Sequence, residues 1–127
     1  MSDLRVNSIA GADGTSPATL VKQSAAKAWA NLNGTGAIAL RDSFNISSVV
    51  DNGIGNYGFN YNSAMANTNF ADSNSTDLGA SGLFFANGTR SVKSASAVRF
   101  NSLNASAGNQ SFADTTEAIH LVHGDLA

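Results

Sequence analysis

Two histidines, His120 and His123, stand three residues apart near the C-terminal end, with Asp125 close by. Imidazole and carboxylate are metal ligands and proton carriers. In a strand, however, a spacing of three sends the two rings to opposite faces. A structural histidine is therefore the expectation, and no metal or cofactor is expected. The run Gly53-Ile54-Gly55-Asn56-Tyr57-Gly58 spells the dinucleotide fingerprint. That chemistry needs a helix N-terminus at the glycines, to receive the pyrophosphate. Here Tyr57, Phe59 and Tyr61 alternate with polar residues instead, so the run reads as a hairpin loop. Serines are plentiful, but no G-x-S-x-G elbow is present. Asp42 and Asp51 lie too far apart along one strand for paired glycosidase carboxylates. No catalytic residue is expected. Trp29, Tyr57 and Tyr61 present flat apolar faces with polar edges, which suits stacking on sugar rings as well as core packing. Trp29 and Tyr61 are the candidate glycan contacts.

These side chains need a scaffold, and composition narrows what it is. Ala, Ser, Asn, Gly and Thr make up more than half of the 127 residues, with one Glu, one Pro and no Cys. Charged residues are 13% and the net charge is −2. A general electrostatic binder of nucleic acid needs a basic surplus, so none is expected as partner. No apolar run approaches the ~20 residues of a membrane-spanning helix, and no membrane insertion is expected. No basic and apolar leader opens the chain. Absence of cysteine rules out disulfides and thiolate chemistry. Six N-x-[ST] triplets follow from abundant Asn and Ser alone. Small neutral side chains suit turns and packed β surfaces rather than solvated helices.

Strand signals follow. Asp3 to Ile9 alternates as an extended arm, and residues 1–15 are read as an N-terminal anchor, with Leu4, Val6 and Ile9 as its contacts. Ser16-Pro17 resembles a helix start, which predicts a short helix over 18–30. Ile38, Leu40, Phe44, Ile46 and Val50 share one parity, the mark of a single half-buried strand. The Asp51-Asn52-Gly53 break then predicts a hairpin into Tyr57–Tyr61 through a loop longer than two residues. Further strands are predicted at 83–86, 96–103 and 118–123, with loops over 67–82 and 104–116. The fold class is all-β: a small antiparallel β-sandwich, jelly-roll-like, occupying 16–127. Phe44, Ile46, Tyr57, Phe59, Phe84 and Phe100 are the expected core and self-assembly residues. A faint echo between 59–72 and 100–114 does not make a repeat.

The stretch Lys27-Ala28-Trp29, Asn33-Gly34-Thr35-Gly36, a strand into Asp51-Asn52-Gly53, an aromatic strand and then Ala64-Met65 resembles a segment of tailed-bacteriophage tail-fibre-like virion proteins. The match runs from Lys27 to Phe70. The resemblance implies a β-rich, homotrimeric structural protein on the particle exterior, without catalytic activity. It would be a short fibre or a head decoration, with other virion proteins and its own copies as partners. A host-surface glycan is the alternative partner, in a receptor-recognition module.

Overall fold

The computed structural model describes residues 10, 12–14, 24–77, 83–106 and 109–127, with backbone alone at 83–91, 105–106 and 109–110. Every element from Ala28 to His123 is a strand: β1 (Ala28–Asn33), β2 (Ala39–Phe44), β3 (Ile46–Asp51), β4 (Asn56–Tyr61), β5 (Ala71–Asp77), β6 (Leu83–Lys93), β7 (Ala97–Ser106), β8 (Asn109–Phe112) and β9 (Glu117–His123). One sheet has the order β2-β1-β9-β5 and the other β3-β4-β7-β6, with all pairings antiparallel. β8 pairs with β7 beyond the end of β4, on the same edge. Ser102 sits at that join: its N–H donates to Gly55 C=O and its C=O accepts from Ala113 N–H.

The all-β, antiparallel expectation holds, and two sheets share one core. Jelly-roll connectivity does not. A jelly roll passes most successive strands to the opposite sheet, whereas β1–β2, β3–β4 and β6–β7 are partners within one sheet. The anchoring arm, with Leu4, Val6 and Ile9, lies outside the described residues. So do residues 18–23 of the expected helix, but Ala28 to Ala30 belong to β1. There alternation between small buried residues and outward Trp29 and Asn31 outweighs alanine's helix propensity.

Three more expectations are corrected. The single strand over 38–50 is two strands in two sheets, joined at Asn45, whose φ is 56°. Asparagine tolerates this left-handed conformation because its short amide bonds locally. Asn45 Nδ2 donates to the carbonyls of Lys27 (2.9 Å) and Ser63 (3.0 Å), and its Oδ1 accepts from Ser63 N–H at 2.7 Å. The expected loop over 67–82 contains β5, and that over 104–116 contains the end of β7 and all of β8. By contrast, the β3–β4 hairpin forms as read. Asp51 caps Gly53 N–H at 2.9 Å, and Gly53 and Gly55 take φ of 111° and 62°. The first two glycines of the fingerprint-like run serve this turn, and the third, Gly58, lies within β4.

Between the sheets, inward residues form two adjoining clusters. Ala28, Tyr61, Met65, Phe70, Val98 and Val122 make one, and Ala30, Leu32, Tyr57, Phe59, Phe100 and Ala118 the other. Half-buried Ile46 packs against both. Phe59 and Phe100 stack with centroids 5.6 Å apart, and Tyr57 meets Phe100 edge-on at 6.1 Å. Such pairs add about 0.5–1.5 kcal/mol each beyond the area they bury.

Candidate functional site

A polar chain runs through the first cluster. Parity in β4 turns Tyr61 inward, and parity in β9 does the same for His120. Their sheets face each other, so Tyr61 Oη lies 3.0 Å from His120 Nε2. His120 Nδ1 is 2.7 Å from Asn74 Oδ1 on β5, and Asn74 Nδ2 donates to Asp72 at 3.2 Å. Lys93 on β6 closes the chain onto Asp72 at 3.2 Å and onto Phe70 C=O at 2.6 Å, with its ammonium 4.2 Å from the Phe70 ring centre. Asn74 donates to a carboxylate, so its oxygen faces the imidazole and accepts. His120 therefore carries its proton on Nδ1, and Nε2 accepts from the Tyr61 hydroxyl.

These groups would transfer protons if substrate could reach them, but His120 is fully buried and Tyr61 is 6% exposed. Burial pushes the imidazole down to about 4, outweighing the pull of Asp72 in the other direction. Burial, then the Asp72 charge, pushes the Tyr61 phenol up. Both shifts favour neutral forms. The chain is a cross-link between sheets: Tyr61 to His120 at one point, Lys93 to Asp72 at another.

A second polar knot closes the far end of the core. Tyr57 Oη accepts from Thr115 N–H at 3.0 Å and shares its own proton between Gly34 C=O at 3.2 Å and Asp114 at 3.4 Å. Burial raises the Tyr57 phenol's pKa, and the hydrogen bond from the Thr115 backbone N–H opposes this. Asp114 also accepts from Gly55 N–H at 2.8 Å. A side chain on Gly34 would run into the Tyr57 hydroxyl. Thr115 Oγ1 is buried there without a hydrogen-bond partner. An orphaned buried hydroxyl costs about 1–3 kcal/mol. Thr115→Val is therefore expected to raise stability by about 1 kcal/mol, read as a higher urea midpoint at unchanged slope. An unchanged or lower midpoint would show that the hydroxyl is satisfied in solution.

The outer face of the first sheet is different in character. Register places Phe44, Trp29 and Leu121 side by side across β2, β1 and β9, and Ile119 lies two residues from Leu121 on the same face. Cross-strand neighbours stand within about 5.5 Å and interact. Phe44 is 53% exposed, while Trp29, Leu121 and Ile119 are half-buried. A polar bracket borders this row. Asn31 donates to Glu117 at 2.7 Å and accepts from Arg41 at 3.1 Å, and Arg41 also reaches Thr116 C=O.

The expected site residues thus separate. Tyr57, Phe59 and Phe100 are core, and Ile46 borders it. Phe44 is not core: the chain changes sheet at Asn45, leaving its ring outside. Tyr61 is no glycan contact, since its ring is enclosed and its hydroxyl is bonded to His120. Trp29 does face outward. The Phe84 side chain lies outside the described residues. His123 points away from His120, and no group of three or more metal-ligating side chains forms among the described residues. Asp72 and Asn74 were invisible in sequence, because β5 lacks apolar residues beyond alanine, and Lys93 ends β6 well past the strand predicted at 83–86. Comparison with family models, curated proteins and solved structures gives no match.

Proposed function

We propose that this chain is a structural module of a bacteriophage virion. It assembles as a homotrimer on the particle exterior, as a short fibre or head decoration, and carries out no catalysis. The observation that supports this reading is the apolar row Phe44–Trp29–Leu121 with Ile119 on the outer face of the first sheet, beside the Asn31–Glu117–Arg41 bracket. Burying such a row against copies of itself yields roughly 25 cal/mol per Å2 and desolvates few charges. The phage assignment rests on the Lys27–Phe70 resemblance, which spans β1 to β4. In this reading Leu4, Val6 and Ile9 anchor residues 1–15 to another virion protein.

Light scattering tests the assembly. The expected particle has threefold the 13.0 kDa chain mass, and Phe44→Ser combined with Leu121→Ser should reduce it to a folded monomer. A chain lacking residues 1–15 should still form the trimer but be missing from particles. A wild-type monomer at micromolar concentration would defeat the proposal.

The outward Trp29, beside Asn31 and Asp42, supports a second reading: host-glycan recognition. Assembly through this face would cover Trp29, so the two readings compete. Saturable binding to a host polysaccharide, lost in Trp29→Ala while the mass stays constant, would favour the second.

A further inference from the structure

Asparagine followed by glycine occurs three times, at Asn33-Gly34, Asn52-Gly53 and Asn87-Gly88. The pair has a chemistry of its own. The glycine nitrogen can attack the asparagine Cγ and close a five-membered ring. Because both atoms belong to one chain, the rate depends on how the backbone presents them. Glycine carries no side chain to shield its nitrogen or restrict its φ. The fold gives the three pairs different surroundings.

At Asn33-Gly34 both partners are tied down. Gly34 is buried beside the Tyr57 hydroxyl, and its N–H donates to Thr115 C=O at 2.9 Å. A peptide carbonyl cannot take that proton away. Half-buried Asn33 accepts from Thr35 Oγ1 at 2.9 Å. Asn87 and Gly88 lie within β6, where Asn87 pairs with Asn101 and the backbone is held extended. Asn52-Gly53 instead stands in the exposed β3–β4 turn, with nothing within 4 Å of a Cβ added at Gly53. Gly53 N–H donates to the Asp51 carboxylate at 2.9 Å. The proton that must leave the nitrogen already rests on a base, within the reach general-base catalysis needs. The Asn52 amide is loosely held: its bonds to Val50 C=O and from Arg99 Nη1 are both 3.4 Å. Bonds this long are weak, so little is lost when the amide turns toward Gly53.

The geometry points to Asn52 as a self-modification site, selected by the fold and by the Asp51 carboxylate for cyclisation onto Gly53 and conversion to aspartate and isoaspartate. Asp51 takes the Gly53 N–H proton, the N–Cγ bond forms and the Cγ–Nδ2 bond breaks. The departing nitrogen takes up that proton and leaves as ammonia. Water then opens the ring. Attack at Cγ yields aspartate, and attack at the main-chain carbonyl yields isoaspartate. Either product adds one negative charge within reach of Arg99. Isoaspartate also routes the main chain through Cβ, which lengthens the turn closed by the bonds from Asn52 N–H to Asn56 C=O and from Asn56 N–H to Gly53 C=O. The site does not depend on assembly, since the turn belongs to the second sheet and the Phe44–Trp29 row to the first.

The experiment incubates the full folded chain in warm neutral buffer and follows each pair by peptide mapping. Each conversion exchanges NH for O, a gain of about 1 Da. Asn52 is expected to convert at least fivefold faster than Asn33 and Asn87. In guanidinium, where the fold is gone, Asn52 and Asn33 should converge to within twofold. Asp51→Ser separates the base from the cap, because a serine hydroxyl still bonds Gly53 N–H but cannot carry its proton away. Conversion of Asn52 should slow at least threefold in that folded variant and stay unchanged in guanidinium. Asn33 or Asn87 keeping pace with Asn52 in the folded chain would overturn the inference, as would the same advantage for Asn52 in guanidinium. An unchanged rate in Asp51→Ser would overturn it through the base. Should the serine variant fail to fold, the wild-type comparison decides alone.

Discussion

Gly55→Ala is expected to destabilise the fold by about 3–5 kcal/mol, enough to unfold much of a marginally stable domain. Two effects combine. Gly55 has φ of 62°, which costs an L-residue roughly 1–2 kcal/mol. In addition, a Cβ there would lie 2.6 Å from Ala113 O, 2.7 Å from Ser102 O and 2.8 Å from Ala113 N. All three are backbone atoms at the join where β4 and β8 share the edge of β7. To make room, the Ala113–Ser102 and Ser102–Gly55 bonds must lengthen together. Gly36 and Gly53 are the controls: φ is also positive there, but nothing lies within 4 Å of an added Cβ. Gly36→Ala should lose only about 1 kcal/mol. Urea denaturation of the variants separates the contributions. Equal losses at Gly55 and Gly36 would refute the steric argument.

The second large effect is acid sensitivity centred on His120. Its folded-state pKa of about 4 lies below the ordinary 6.5. Between those values the unfolded chain takes up a proton that the folded chain refuses. The stabilisation is thus complete above pH 6.5, is lost as pH falls toward 4, and changes no further below. The slope is ~1.4 kcal/mol per pH unit, about 3 kcal/mol across the window. Geometry gives the reason: Nε2 accepts from Tyr61, so a proton arriving there forces the phenol to turn, and the charge has no water around it. Carboxylates titrate over part of the same range, so the measurement is a difference. Urea midpoints near pH 7 and near pH 4.5 should diverge strongly for the wild type and by about 2 kcal/mol less for His120→Gln. If His120→Gln keeps the full acid loss, the imidazole does not control it.

Tyr57, Phe59 and Tyr61 were legible in the sequence because strict alternation against Gly58 and Asn60 leaves one face for the core. The hairpin before them was legible for the same reason, with Asp51 and Gly53 marking the turn. Phe44 and Ile46 were not, although they share parity. Period-two reasoning assumes an unbroken strand, and one left-handed residue at Asn45 sends the following residues into the other sheet. β5 escaped notice because pattern reading looks for apolar residues. Its inward positions are Asp72, Asn74 and Thr76, and pairing along all seven residues with β9 makes it a strand. The polar chain through His120 could not be foreseen, since its members come from four strands far apart in sequence. Trp29 was recognised as a candidate contact, and its outward direction follows from its place between the buried Ala28 and Ala30.

The pairing of β1 with β9 also governs how the chain is made. Asn31 and Glu117, which are hydrogen-bonded across that pair, are 86 residues apart. At a synthesis rate of roughly 5–20 residues per second, β1 waits some 4–17 s for its partner. Throughout that interval Trp29 and Leu32 lack their neighbours on β9, and the first sheet exists only as the β1–β2 hairpin. Such distant closure places the domain among slow folders, on the millisecond-to-second scale once released. Crowded nascent chains, each holding an unmatched β1, are then the stage at which copies have the most opportunity to pair wrongly.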